Sequence, residues 1–209
     1  MSKFYIGIKV YGKKNIKQLK RKQGFFFYCN HCHYYDAFIS HVFIGVPRRT
    51  YIVSNADPVR IPFIRFLVEM LGVLPLPNSK LNYRNYYKAM EVYVKKGSVI
   101  SIYPEATIWP YYNKMRPFSK ASFKYPAMLN QPIVIGAETF RKPKFFKGMK
   151  PRMNLTISKV IYPDSKKTVA ENTEMFYQAA ISYWNEQVVL NEHNVAFHHY
   201  LPLHEEKEK

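Results

Sequence analysis

Gly24-Phe25-Phe26-Phe27-Tyr28-Cys29-Asn30-His31-Cys32-His33-Tyr34-Tyr35-Asp36 decides how the rest of the chain is read. Phe25 to Cys29 follow a glycine with no polar break, the pattern of a strand covered on both faces rather than one half-exposed to water. Such a strand belongs in the interior of a sheet with helices on each side. Directly after it comes the densest group of reactive side chains in the sequence. Loops beyond the carboxyl ends of such strands are where open α/β sheets bind their ligands, so His31 and Asp36 stand where chemistry is expected.

Working outward, similar short runs at 50–53, 99–103 and 132–137 read as further buried strands. Helical stretches fall between and after them. Residues 61–71 are apolar nearly all round except Arg65 and Glu69, and Asp57-Pro58 marks a start. Residues 83–96 place Tyr83, Tyr86, Tyr87, Met90 and Val94 at helical spacing and stop at Gly97, while 168–189 reads as a long closing helix. Strands alternating with helices predict an α/β fold: a single domain with a largely parallel central sheet flanked by helices.

Length and composition agree. A chain of 209 residues, 47% hydrophobic and 17% aromatic, has the material for one packed core and excludes intrinsic disorder. The formal charge of +18 calls for an anionic partner, which is a nucleic acid, an anionic membrane surface or a phosphorylated ligand. Eight basic residues, Lys3, Lys9, Lys13, Lys14, Lys17, Lys20, Arg21 and Lys22, precede Asp36, the first acidic one, so 1–23 reads as a basic N-terminal arm. No apolar run reaches the roughly 18 residues of a membrane span, and the opening lacks the apolar core of a signal peptide. A cytoplasmic protein held peripherally on a membrane face is therefore expected. With Cys29 and Cys32 the only cysteines, a disulfide framework is not.

The reactive cluster itself has three readings. Five residues span about 500° of helix, which would hold His31 and Asp36 roughly 140° apart; only a turn running into a helix lets them meet. If they meet, Asp36 fixes the imidazole tautomer and leaves the other ring nitrogen to take a proton from a hydroxyl, a dyad whose nucleophile belongs to the substrate. Alternatively, Cys29-Asn30-His31-Cys32-His33 satisfies the CxxCH pattern of covalent haem attachment, which requires export. A zinc site on the same residues lacks a second ligand cluster to complete four-coordination. No metal and no resident cofactor are expected.

Four blocks in order then resemble the glycerol-3-phosphate and lysophosphatidate acyltransferase family. Asn30-His31 followed by Asp36 is similar to its NHxxxxD signature. Tyr103-Pro104-Glu105-Ala106-Thr107 is similar to F-P-E-G-T, Pro117-Phe118-Ser119-Lys120-Ala121 to P-F-K-x-G, and Gln131-Pro132-Ile133-Val134-Ile135 to P-I-V-P-V. The resemblance spans residues 25–137. It implies an acyltransferase domain over 24–203, followed by a charged tail at 204–209. It further implies His31 as general base, Asp36 as its orienting partner, and Glu105, Thr107 and Asn30 as acceptor contacts, with backbone N–H groups near Glu105 for the oxyanion. The implied partners are acyl-CoA or acyl carrier protein as co-substrate, a lysophospholipid acceptor and an anionic membrane surface, and not nucleic acid.

The departures bear on the acceptor. Ile108 stands where the family commonly has the arginine that holds the acceptor's phosphate, Ala106 stands for a glycine, and 72–77 is followed by Asn78 and Ser79 rather than by an arginine. Lys80, Arg84, Arg116 and Lys120, with Lys114, are the candidate phosphate or donor contacts in their place. The readings that remain beside O-acyl transfer to a lysophosphatidate-like glycerolipid are transfer to a non-phosphorylated acceptor and a non-catalytic lipid- or membrane-binding relative.

Overall fold

The computed structural model describes residues 7–55, 70–112, 114–141 and 151–190, with the side chain of Lys80 excepted. The expected helix at 61–71, but for its last two residues, and the tail at 204–209 lie outside them. Strands are β1 (Lys9–Tyr11), β2 (Phe25–Cys29), β3 (Thr50–Ser54), β4 (Val73–Pro75), β5 (Val99–Ile102), β6 (Ile133–Arg141) and β7 (Arg152–Ile157). Helices are α1 (Lys13–Ile16), α2 (Asp36–Ile39), α3 (Lys80–Lys95), α4 (Lys124–Met128) and α5 (Val169–Leu190). A wider turn, Ser40–Gly45, continues α2, and a 3-10 turn, Lys120–Phe123, leads into α4.

These strands form one seven-stranded sheet in the order β1-β7-β6-β2-β5-β3-β4. The central strand is β2, parallel to β5 on one side and to β6 on the other. Its five residues alternate between two apolar layers. Phe25, Phe27 and Cys29 pack with Ile39, Phe43 and Leu155, while Phe26 and Tyr28 pack with Met90, Phe123, Phe176 and Trp184. Each fully buried aromatic there contributes about 1.5–3 kcal/mol, which is why the run is uninterrupted. Gly136 of β6 has a steric reason: a Cβ on it would stand 2.4 Å from Phe27 Cζ.

All pairings are parallel except β6 with β7. This explains why β6 runs to Arg141, past the expected end at 137. Its first half pairs with β2 as far as Gly136, and from Gly136 onward it pairs with β7 instead. The basic N-terminal segment is not all tail, since β1 adds an edge strand beside β7 and Ile8, Ile16 and Leu19 enter the core.

The two long helices form as patterned. Ser79 Oγ accepts the Asn82 N–H at 3.2 Å and starts α3 three residues ahead of the expected 83. Tyr86, Met90 and Val94 are its buried stripe, and Gly97 at φ 84° ends it. Thr168 and Glu171 form a reciprocal capping box at the start of α5, which buries Phe176, Ala180, Trp184 and Gln187. Among the described residues no helix is long and apolar enough to cross a membrane.

The connections locate a crevice. From β2 the chain passes to α2 on the face of Phe25 and Phe27, whereas from its neighbour β5 it passes to Phe123 and α4 on the opposite face. Adjacent parallel strands whose connections leave on opposite faces open a gap at their carboxyl ends. His31 and Asp36 follow one of these strands and Glu105 follows the other.

Candidate active site

The loop after β2 is organised by one carboxylate oxygen. Asp36 Oδ2 lies 2.6 Å from His31 Nδ1 and accepts the backbone N–H groups of Cys32 and His33 at 3.1 Å each. Those two N–H bonds wrap 32–36 into the turn that brings His31 and Asp36 together despite their spacing, and α2 starts only at Asp36. The Asp36 side chain is fully buried and that of His31 is 18% exposed. A carboxylate on Nδ1 holds the proton there and leaves Nε2 as the nitrogen able to accept one.

Tyr103, the first residue after β5, supports the pair in two ways. Its ring stacks on the His31 ring with centroids 4.6 Å apart, and its hydroxyl donates to the Asp36 carbonyl at 2.7 Å. Burial, with Asp36 beside it, pushes the Tyr103 phenol well up, so it serves as a donor.

Glu105 reaches across to the first loop. Its Oε2 accepts the His31 N–H at 3.0 Å and pairs with Arg116 Nη2 at 2.7 Å, while Oε1 accepts the Arg116 N–H at 3.0 Å. Arg116 also donates to Thr107 Oγ1 at 2.9 Å, to the Thr107 carbonyl and to the His31 carbonyl, and its guanidinium lies over the Trp109 ring. Both oxygens of Glu105 and the Thr107 hydroxyl are thus engaged within the protein. The pair is buried, the Glu105 side chain 3% and that of Arg116 8% exposed. Ala106, at φ 64°, makes the intervening turn in a conformation that favours glycine. The Ala106 and Thr107 N–H groups, expected near the oxyanion, already donate to the Tyr103 and Glu105 carbonyls.

Asn30 works as a bracket. Its Nδ2 donates to the Glu138 carbonyl at 3.0 Å and its Oδ1 accepts the Glu138 N–H at 2.8 Å, so its amide pairs with the β6 backbone as a strand would. Beside it the Cys32 thiol donates to Glu138 Oε2 at 3.3 Å. Burial above all pushes the Cys29 and Cys32 thiols well up, away from the thiolate a metal requires. Of the other candidates, Arg84 is exposed on α3 and Lys120 pairs with Glu174 of α5 at 2.8 Å.

His31, Asp36, Asn30, Glu105, Thr107 and Arg116 therefore form one connected network. Lys120 is drawn to α5 instead. Sequence reading missed the support from Tyr103 and the presence of Glu138. The signal for the second was in view: a single acid inside Ile133-Val134-Ile135-Gly136-Ala137-Glu138-Thr139-Phe140, a strand otherwise free of charge until Arg141.

An imidazole oriented by a buried carboxylate, with no protein hydroxyl or thiolate set to attack among the described residues, suits activation of a substrate's own hydroxyl. The Acyltransferase family profile matches residues 7–135, well over half the chain and all six residues of this network, though not Glu138 beside it. The chain belongs to the Acyltransferase family. Within solved structures, the acyltransferase fold here is similar to that of the 1-acyl-sn-glycerophosphate (LPA) acyltransferase PlsC from Thermotoga maritima. That match has a TM-score of 0.63 and 16% identity, and covers 86% of this chain and 71% of that one. Among curated proteins no sequence matches this acyltransferase.

Proposed function

We propose that the protein moves a fatty acyl group from an acyl thioester, acyl-CoA or acyl carrier protein, to a hydroxyl of a lysophosphatidate-like glycerolipid. The 2.6 Å contact of His31 Nδ1 with Asp36 Oδ2 at the carboxyl end of β2 carries this reading. Nε2 of His31 takes the acceptor's hydroxyl proton as its oxygen attacks the thioester carbonyl. The tetrahedral intermediate collapses with cleavage of the C–S bond, and the departing thiolate receives the proton back from the imidazolium, leaving an ester and a thiol. General-base catalysis of this kind is worth about 10²–10⁴ in rate. Family membership and the 1-acyl-sn-glycerophosphate acyltransferase activity for which the Thermotoga protein is named support the acceptor class.

Arg116 supplies a reason to keep a phosphorylated acceptor in view. Its guanidinium rests on Thr107, next to Ile108, where the resembled pattern has its arginine. The same guanidinium is spent on Glu105, which keeps transfer to a non-phosphorylated acceptor as the second reading. The membrane surface is proposed from the first loop's outer side: Tyr34, Tyr35, Phe38 and Val42 are exposed around α2, beside His31, on a chain of charge +18.

The test is transfer from radiolabelled long-chain acyl-CoA, and then from acyl carrier protein, to lysophosphatidate, glycerol 3-phosphate, zwitterionic lysophospholipids and uncharged glycolipids. Lysophosphatidate should be the best acceptor. An uncharged glycolipid in that place would favour the second reading, and no product from any pair would leave the chain as a lipid-binding relative.

A further inference from the structure

Two buried oxygens at the back of the site have no donor among the described residues. Asp36 Oδ1 and Glu138 Oε1 are each shielded from solvent without a hydrogen-bond partner, while the opposite oxygen of each carboxyl is occupied. The two carboxyl groups converge on one residue, Asp36 Oδ2 accepting the Cys32 N–H at 3.1 Å and Glu138 Oε2 its thiol at 3.3 Å, and Asp36 acts on Glu138 as a neighbouring acid. Two acceptors cannot bond, and two adjacent buried carboxylates repel strongly, so one proton between them resolves both vacancies. Its location follows from the other bonds. Asp36 receives three donors on Oδ2, which suits a carboxylate, whereas the Glu138 side chain receives one weak thiol donor.

We propose that Glu138 is a neutral carboxylic acid donating from Oε1–H to Asp36 Oδ1, a positioning residue behind the His31–Asp36 pair. This rests on the acyl-transfer reading only for its catalytic consequence. Glu138 is 1% exposed and its backbone is clamped by the N–H and the oxygen of the Asn30 side-chain amide, so the acid has a fixed direction. Its surroundings favour the neutral form. Asp36 and Glu105 approach from the two loops, Cys32 and Cys29 from the first loop and β2, and Tyr103 from the second. Across the sheet β7 sets Leu155 opposite it, and α5 brings Trp184 and Gln187, with Tyr183 nearer Cys29. Lys114 lines the same recess and is the one cation there among the described residues. Burial first and then Asp36 push the Glu138 carboxyl well above the usual glutamate range.

The added donor does two things for His31. It fixes the second oxygen of Asp36, so that Oδ2 stays aimed at Nδ1. It also draws charge away from Oδ2, which tempers how firmly Asp36 holds the imidazolium and eases return of the proton to the leaving thiolate. The Glu138→Gln side chain retains an N–H donor for Asp36 and a carbonyl for the Cys32 thiol, whereas Glu138→Ala retains neither.

The experiment is ¹³C NMR of protein labelled at glutamate side-chain carboxyls, with the Glu138 signal assigned by its loss in E138Q. We expect a protonated carboxyl at neutral pH, and an ionised Glu138 there would overturn the proposal. This readout needs no turnover, so it stands apart from failure of the acyl-transfer assignment. In the active enzyme E138A should lower kcat about tenfold with KM little changed. It should also move the acid limb of the rate profile upward, because Asp36 then holds the imidazolium more firmly. E138Q should restore most of both, and equal effects of the two variants on rate and profile would contradict the donor role. Should E138A fail to fold, the NMR result with E138Q decides alone. Stability provides the sign. A raised carboxyl contributes stability that is fully present below the ordinary glutamate range and lost as pH climbs through its raised value. E138Q should flatten that loss, and an unchanged decline would count against the proposal.

Discussion

The loops that follow β2 and β5 close on each other at the same end of the sheet, yet they are built on opposite principles. The first, 30–36, is short, wrapped around a carboxylate that accepts from its own backbone, and it carries the imidazole proposed to act as the base. The second, 103–116, supplies no reacting atom in the proposed mechanism. It holds the first through a stacked tyrosine and a buried Glu105–Arg116 pair that grips the His31 N–H and carbonyl. Orientation of one histidine thus depends on a residue 85 positions later in the chain. A motif that is local in sequence is made rigid by contacts that are not.

Breaking either loop should separate the two roles. Asp36→Asn, in the first loop, should reduce kcat/KM by about 10²–10⁴, because the neutral amide neither fixes the Nδ1–H tautomer nor stabilises the imidazolium. Steady-state kinetics with circular dichroism as a fold control would check it. Arg116→Ala, in the second, should act on stability, by about 3–5 kcal/mol in denaturant melts, since it strands a buried Glu105 carboxylate. Unfolding little different from wild type would mean the pair is not what holds the loops together. Tyr103→Phe keeps the stack on His31 and removes one hydroxyl bond to the Asp36 carbonyl, a loss of about 1 kcal/mol. Smallest is Ala106→Gly, which relieves a left-handed backbone at φ 64° but loosens the unfolded chain, and should raise stability by about 0.5 kcal/mol, read as a higher melting temperature.

The contrast also explains what could be read in advance. Strands β2, β3, β5 and β6 were legible because burial on both faces demands unbroken apolar runs, and α3 and α5 because their stripes and caps are local. β1 and β7 were not. Lys9-Val10-Tyr11 is a three-residue edge strand with little burial, so it looks like part of a basic tail, and β7 is defined by its antiparallel partner rather than by its own pattern. His31 and Asp36 were legible because their spacing is fixed by a seven-residue loop. Arg116 was visible only as a charge, since its commitment to Glu105, Thr107 and His31 depends on how the second loop folds back. Glu138 is marked by its neighbours as the one acid in an apolar strand, but its partners Asn30 and Cys32 lie more than a hundred residues earlier and come to it only through tertiary packing.

The most direct test of the account is single-turnover acyl transfer from radiolabelled acyl-CoA to lysophosphatidate by wild type and His31→Ala at matched stability. The account predicts a rate about 10²–10⁴ lower in the variant, with an unchanged melting temperature. A variant that transfers the acyl group as fast as wild type would contradict it.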